Sequence, residues 1–257
     1  MTGPDLEPAL LERPTRSCIT GILLAGGLSR RMAQTSAQSP IQPAGQPVIQ
    51  ASAPPSAQPS AQPSAPPFVQ PSSPSVDKGL LNFQGLPLAA HILGRLQPQV
   101  GPVLINANRH LEAWAQFGAP VVTDRRDGFA GPLAGLEAAL AAAPTPWVLT
   151  VPCDGPRFPL DLAERLSSAA HQQAAWVASA RTDTQAHPVY MLVHQAALPS
   201  LIAFLDSGRR RIDAWTSTVP HVEVVFADES AFANLNTPQE FAAAQAAIEM
   251  DEAQPPA

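Results

Sequence analysis

Four polar positions, each placed after a short apolar run, suit this chain to phosphate chemistry. The first run, I-T-G-I-L-L-A-G-G-L-S-R-R-M from Ile19, passes from buried-strand composition into Gly26 and Gly27 and then into Arg30 and Arg31. Glycines after a strand let the backbone approach a polyphosphate closely, and a guanidinium adds paired donors to its oxygens. Asn106, Asp124 and Asp154 follow the next three runs. Asp154 closes W-V-L-T-V-P-C-D, which stands a carboxylate at a sheet edge with room for a hard, oxygen-liganded cation. Lys78 is the only lysine; every other member of the 15 Lys and Arg residues is arginine. A compact, mobile ammonium in such a chain suits a transferring phosphate. Singly, each position reads as a turn or a helix cap. Four in series define a site.

These positions need a scaffold that brings strand ends together. Short apolar runs alternate with amphipathic stretches, the pattern of a mainly parallel sheet with helices on both faces. The predicted strands are 18–24, 102–107, 120–123, 147–151, 174–180, 188–194 and 222–226. The predicted helices are 86–97, 111–117, 133–142, 160–169, 195–206, 209–215 and 238–249. In an open α/β sheet, ligands collect where the strands' carboxyl ends and the helix N-termini meet. Gly131 and Pro132 give a tight helix entry, and Gly135 removes a side chain where a base or sugar can pack. Asn234 and Asn236 alternate on an extended segment before Pro238, which points both amides into one cleft on the acceptor side.

Charge and composition remove several function classes. A net charge of −6 argues against a nucleic-acid surface, which needs a clustered basic face. Arg209, Arg210 and Arg211 form the only basic run and read as a solvated helix face, with phosphate or pterin contact as the alternative. Cys18 and Cys153 are too few for a disulfide or zinc framework. No run of 18 apolar residues occurs and no apolar signal core follows Asp5 and Glu7, so a cytoplasmic protein without a membrane partner is expected. Neither G-x-G-x-x-G nor G-x-x-x-x-G-K-[ST] is present, so neither the dinucleotide fold nor the P-loop NTPase is signalled.

L-A-G-G-L-S-R-R-M, followed by D-K-G-L-L from Asp77, resembles the signature of small nucleotidyltransferases, L-A-G-G-x-S-x-R-M-G-x-D-K. V-L-I-N-A-N-R-H (103–110), Asp124 to G-P-L-A-G (131–135), V-P-C-D (151–154), H-P-V-Y (187–190) and N-L-N-T-P (234–238) agree in order and spacing with the molybdenum cofactor guanylyltransferase (MobA) family. The resemblance implies a single-domain, three-layer α/β sandwich with a Rossmann-like, mainly parallel sheet. It implies transfer of GMP from GTP to molybdopterin, with Mg²⁺ required and pyrophosphate released. By the same resemblance, Leu24, Ala25, Gly26 and Gly27 hold the guanine nucleotide through backbone contacts, and Arg31 meets the phosphates. Lys78 neutralises the triphosphate, Asn106, Asp124 and Gly135 lie at the nucleotide, and Asp154 binds Mg²⁺. Molybdoenzymes, their chaperones and the molybdopterin-supplying protein are the implied partners of a monomer. L-A-G-G favours guanine over the L-A-A-G associated with cytidylyl transfer. Cytidylyl transfer to molybdopterin, nucleotidyl transfer to a sugar or polyol phosphate, and non-catalytic delivery of the cofactor are the alternatives.

The chain departs from the pattern in one place. Ala33 stands where the family has Gly, and about forty extra residues precede Asp77. Residues 33–76 hold eleven prolines among Ala, Ser and Gln and no charged residue, which predicts a disordered insert. Residues 1–17 and 251–257 are expected to be disordered too, leaving 18–250 as the transferase domain. Lengthening a flexible loop from about 4 to about 44 residues costs only roughly 2 kcal/mol, which a domain of ordinary stability tolerates. Deleting 34–75 is therefore expected to leave folding intact and to lower, or leave unchanged, the KM for GTP. Loss of soluble protein on deletion would contradict this.

Overall fold

The computed structural model describes residues 13–25, 77–126, 131–237 and 239–241. Its elements in chain order begin with β1 (Ile19–Leu24), a hairpin of β2 (Asn82–Phe83) and β3 (Leu86–Pro87), α1 (Leu88–Leu96), β4 (Val103–Asn106), α2 (Leu111–Ala115) and β5 (Val121–Val122). They continue with α3 (Pro132–Ala142), β6 (Trp147–Pro152), α4 (Leu162–Gln172), β7 (Val177–Arg181) and β8 (Ala186–His194). The last are α5 (Leu198–Asp206), α6 (Ile212–Thr216) and β9 (His221–Val225).

Seven strands form one sheet in the order β5-β4-β1-β6-β8-β7-β9. Every pairing is parallel except those of β8, which runs antiparallel to both β6 and β7. β1 and β6 are central and buried on both faces, so they read as continuous apolar runs. The pleat divides their side chains between two cores. Ile19, Leu23, Leu149 and Val151 meet α1, α2 and α4 through Leu88, Ile92, Trp114 and Leu166. Ile22 and Val148 meet α3, α5 and α6 through Leu136, Leu140, Leu201 and Trp215. The result is the three-layer sandwich with a mainly parallel sheet that the alternation of elements predicts.

α3 is buried over most of its circumference, and its one charge is Glu137. That carboxylate takes a bidentate pair from Arg126, at 2.6 and 3.0 Å, and Arg126 also reaches Asp206 on α5 at 2.7 Å. The guanidinium thereby ties the segment that follows β5 to two helices of one layer.

Several boundaries differ from expectation for identifiable reasons. The helix predicted from Leu86 starts at Leu88, because Gln84 and Gly85 both take positive φ and turn the chain into the β2–β3 hairpin. The strand predicted from Ala174 starts at Val177, since Ala174 has a left-handed φ of 47°. The helix predicted from Arg209 begins only at Ile212, so the three arginines are not a helix face. Arg209 stacks over Phe204, Arg210 donates to Leu205 O, and Arg211 pairs with Asp213. Most of the predicted final helix, and the proposed insert 33–76 with both proposed disordered termini beyond residues 13–17, lie outside the described residues. Among the described residues, no helix is long and apolar enough to cross a membrane.

Candidate active site

The carboxyl ends of β1, β4 and β6 are locked in register: Ala25 N–H donates to Asn106 O at 2.8 Å and Cys153 N–H to Leu24 O at 3.1 Å. Below this edge opens a cleft of about 590 Å³. Leu24, Asn106, Asp124, Asp154 and Asn234, five of the positions singled out from sequence, line it.

On the β4–β5 side, three polar side chains form one unit. The Asn106 amide donates to Asp124 Oδ1 at 2.9 Å and the Asn108 amide to Oδ2 at 2.8 Å, while Asp124 N–H donates back to Asn108 Oδ1 at 2.8 Å. The carboxylate is thus held by neutral amides in one orientation. Gly135 explains how Asn106 fits: a Cβ there would overlap Asn106 Oδ1 and lie 2.9 Å from a Leu24 methyl. The space left by the missing side chain belongs to the Asn106 amide, where a base or sugar was expected from sequence.

Behind Asp154, Lys78 Nζ sits 3.2 Å from its Oδ2 and also donates to Asn236 Oδ1, so Lys78 and Asn236 join the site through Asp154 and do not themselves line the cleft. Both partners of the ion pair are largely withdrawn from solvent, with side-chain exposures of 15% and 19%. Asp154 does not cap the following helix, whose N-cap is Asp161. Its carbonyl accepts from Leu235 N–H at 2.7 Å, which docks the Asn234–Asn236 segment beside it.

Lys78 is aimed by its neighbour Asp77, which sequence reasoning passed over. Asp77 is 3% exposed and accepts from Arg109 Nη2 at 2.6 Å, His110 Nδ1 at 3.1 Å and Trp114 Nε1 at 3.3 Å. A buried carboxylate with three donors fixes the backbone on which the lysine stands. The donors come from the N-A-N-R-H segment after β4 and from α2, so one motif supplies both the amide unit and this anchor.

The opposite side of the cleft comes from the start of β8 and from the segment 232–234. The His187 ring stacks on Phe232 with centroids 4.5 Å apart, and Tyr190 meets Phe232 edge-on at 5.0 Å. Burial holds the His187 imidazole below its usual value, against a smaller opposing pull from Glu229, so the ring is mainly neutral at pH 7. None of these groups follows a strand. The H-P-V-Y motif marks two of them in the sequence, but their place in the cleft follows from β8 running antiparallel, which brings its beginning to the edge where its neighbours end.

Cys153 also lines the cleft. Burial first, then the charge of Asp154, pushes its thiol up to about 12. The thiol form therefore persists through pH 8, and Cys153 is unsuited to serve as a nucleophile. Iodoacetamide at pH 8 is expected to label it at least about a hundredfold more slowly than a free cysteine, read by mass spectrometry. Labelling at the free-thiol rate would contradict the placement. Of the remaining sequence-predicted positions, Ala25 is buried behind the edge. Gly26, Gly27 and Arg31 lie outside the described residues.

A three-layer sandwich of this sheet order, open at the carboxyl edge of a mainly parallel sheet, is the nucleotidyltransferase fold. Solved structures share it: molybdopterin-guanine dinucleotide biosynthesis protein A from Archaeoglobus fulgidus superposes with a TM-score of 0.63 over 90% of this chain and 99% of that one, at 16% identity. The 2-C-methyl-D-erythritol 4-phosphate cytidylyltransferase of Thermus thermophilus does so with a TM-score of 0.52 over 67% and 94%, at 18% identity. Residues 73–221 match the MobA-like NTP transferase domain, and the chain belongs to that family. Among its relatives, the molybdenum cofactor guanylyltransferase of Bordetella petrii is 52% identical over 166 residues, 63% of this chain and 85% of the relative. The protein of that name from Ralstonia nicotianae is 51% identical over 171 residues, 63% and 84% of the two chains.

Proposed function

We propose that this protein transfers GMP from GTP to molybdopterin, forming the guanine dinucleotide form of the molybdenum cofactor and releasing pyrophosphate. One observation carries the reading: two relatives named for that activity share about half their residues with this chain over 84–85% of their own lengths. The cleft is consistent with it.

In this reading, a terminal phosphate oxygen of molybdopterin attacks the α-phosphorus of GTP. The bond from that phosphorus to the bridging oxygen breaks, and pyrophosphate leaves with the electron pair. An ionised phosphate is already a nucleophile, so catalysis comes from positioning and charge neutralisation. Lys78 turns its ammonium from Asp154 and Asn236 to the triphosphate oxygens. Leu24, Ala25, Gly26 and Gly27 present backbone to the nucleotide, the Asn106–Asp124 unit with Gly135 beneath it holds the nucleoside, and Arg31 meets the phosphates. Asn234 and Asn236 face the acceptor. The transferase domain runs from 18 to 250 with 33–76 as an addition to it, and acts as a cytoplasmic monomer receiving molybdopterin from, and passing product to, protein partners.

Mg²⁺ fits at Asp154. Its carboxylate lines the cleft beside Lys78 and offers hard oxygen donors to a cation that would complete its shell with substrate phosphates and water. When bound there, the ion would offset the charge of the triphosphate and of the departing pyrophosphate.

The test is to incubate the protein with molybdopterin, Mg²⁺ and either GTP or CTP and to measure pyrophosphate. Release with GTP in clear preference to CTP is expected. Release with CTP alone would assign cytidylyl transfer, and cofactor binding without any release would assign a delivery protein.

A further inference from the structure

Tyr190 carries a group that the mechanism above does not use. The residue is 2% exposed, yet among the described residues its hydroxyl has no hydrogen-bond partner. A buried polar atom without a partner is destabilising, and a phenylalanine would pack the same ring without that penalty. The ring itself is well held, edge-on to Phe232 at 5.0 Å and 6.1 Å from Phe158.

The hydroxyl is also closely placed. A Cβ on Gly155 would overlap the Tyr190 oxygen, and the same hypothetical atom would lie 3.4 Å from Asn234 Oδ1. The phenol therefore rests against the backbone of the residue that follows Asp154, on the β8 side of the cleft that both Tyr190 and Asn234 line. Gly155 is what permits this approach.

We propose that the Tyr190 hydroxyl donates a hydrogen bond to a phosphate oxygen of the acceptor substrate and so holds the nucleophile beside Asp154. This rests on the guanylyl-transfer reading. The nucleotide is assigned to the β4–β5 side, so a donor on the β8 side serves the other substrate. A neutral O–H gives that phosphate a directional donor without adding further charge to Lys78 and the cation assigned to Asp154. A phenol keeps its proton at neutral pH and so acts as a donor.

The experiment compares wild type with Tyr190→Phe in the full chain. Direct binding of anaerobic molybdopterin, without nucleotide, is measured by fluorescence, GTP binding by calorimetry, and the melting midpoint alongside. The expected result is molybdopterin binding about tenfold weaker, about 1.4 kcal/mol, with GTP affinity within about twofold. The midpoint should be no lower than wild type, because the variant loses no internal hydrogen bond. Equal molybdopterin affinity in the two proteins would overturn the proposal. So would a lowered midpoint with both ligands weakened, which marks a structural hydroxyl, or weakened GTP alone, which assigns the group to the nucleotide. If wild type binds molybdopterin but releases no pyrophosphate from GTP, the transfer reading fails while the binding comparison still decides the role of Tyr190. Failure of wild type to bind molybdopterin overturns both.

Discussion

Replacing Asp154 by Ala is expected to lower the turnover of GMP transfer by on the order of 10³-fold, and replacing Lys78 by Ala by on the order of 10²-fold or more. The two side chains are each other's partners, 3.2 Å apart. Their effects should be strongly non-additive, because residues that act as a unit lose most of their contribution with the first deletion. Steady-state pyrophosphate release by the two single variants and the double variant measures this. Because the pair is largely withdrawn from solvent, each single variant should also lose some stability, so turnover is compared at a temperature well below each variant's own melting midpoint. Turnover near wild type in either single variant would remove these residues from the mechanism.

Asp77→Ala should behave differently, damaging stability and activity together. Arg109, His110 and Trp114 all donate to this buried carboxylate, and its removal takes away a shared acceptor from a charged group and two ring N–H groups. Breaking a buried pair from one side costs about 3 kcal/mol or more, which lowers the melting midpoint of a domain this size by about 6–12 °C. Turnover should fall as well, by roughly tenfold, because the backbone under Lys78 loses its anchor. A double-mutant cycle separates the two consequences. In a Lys78→Ala background, Asp77→Ala should add little further loss of turnover while keeping its full thermal effect. An undiminished additional loss of turnover would assign Asp77 a direct role.

What was legible in the sequence follows from what each signal depends on. The parallel strands declared themselves as apolar runs because they are buried on both faces, and a polar residue after such a run has to stand at the carboxyl edge. That reasoning brought Asn106, Asp124 and Asp154 to one cleft, with Lys78 bonded to both Asp154 and Asn236. It could not reach His187 or Tyr190, since strand direction is set by pairing across the sheet and β8 alone is reversed. Nor could it reach Asp77, whose partners lie 32 to 37 residues away and are joined to it only by tertiary packing. The arginine run was misplaced on a helix because helix propensity ignores local partners such as Asp213 and the carbonyl of Leu205. At Gly135 the missing side chain makes room for the Asn106 amide, a neighbour that the sequence does not name.

That last contact also bears on how such a sequence can change over time. With Asn106 in place, any residue larger than glycine at 135 meets the amide and the Leu24 methyl before it meets anything else. Two positions 29 residues apart are thereby made interdependent, and the order of substitution matters. A lineage that shrinks residue 106 first can later enlarge residue 135, whereas the reverse order passes through a clash at the floor of the cleft. The pair should therefore vary together or hardly at all, and the glycine is kept in place by the history of its neighbour.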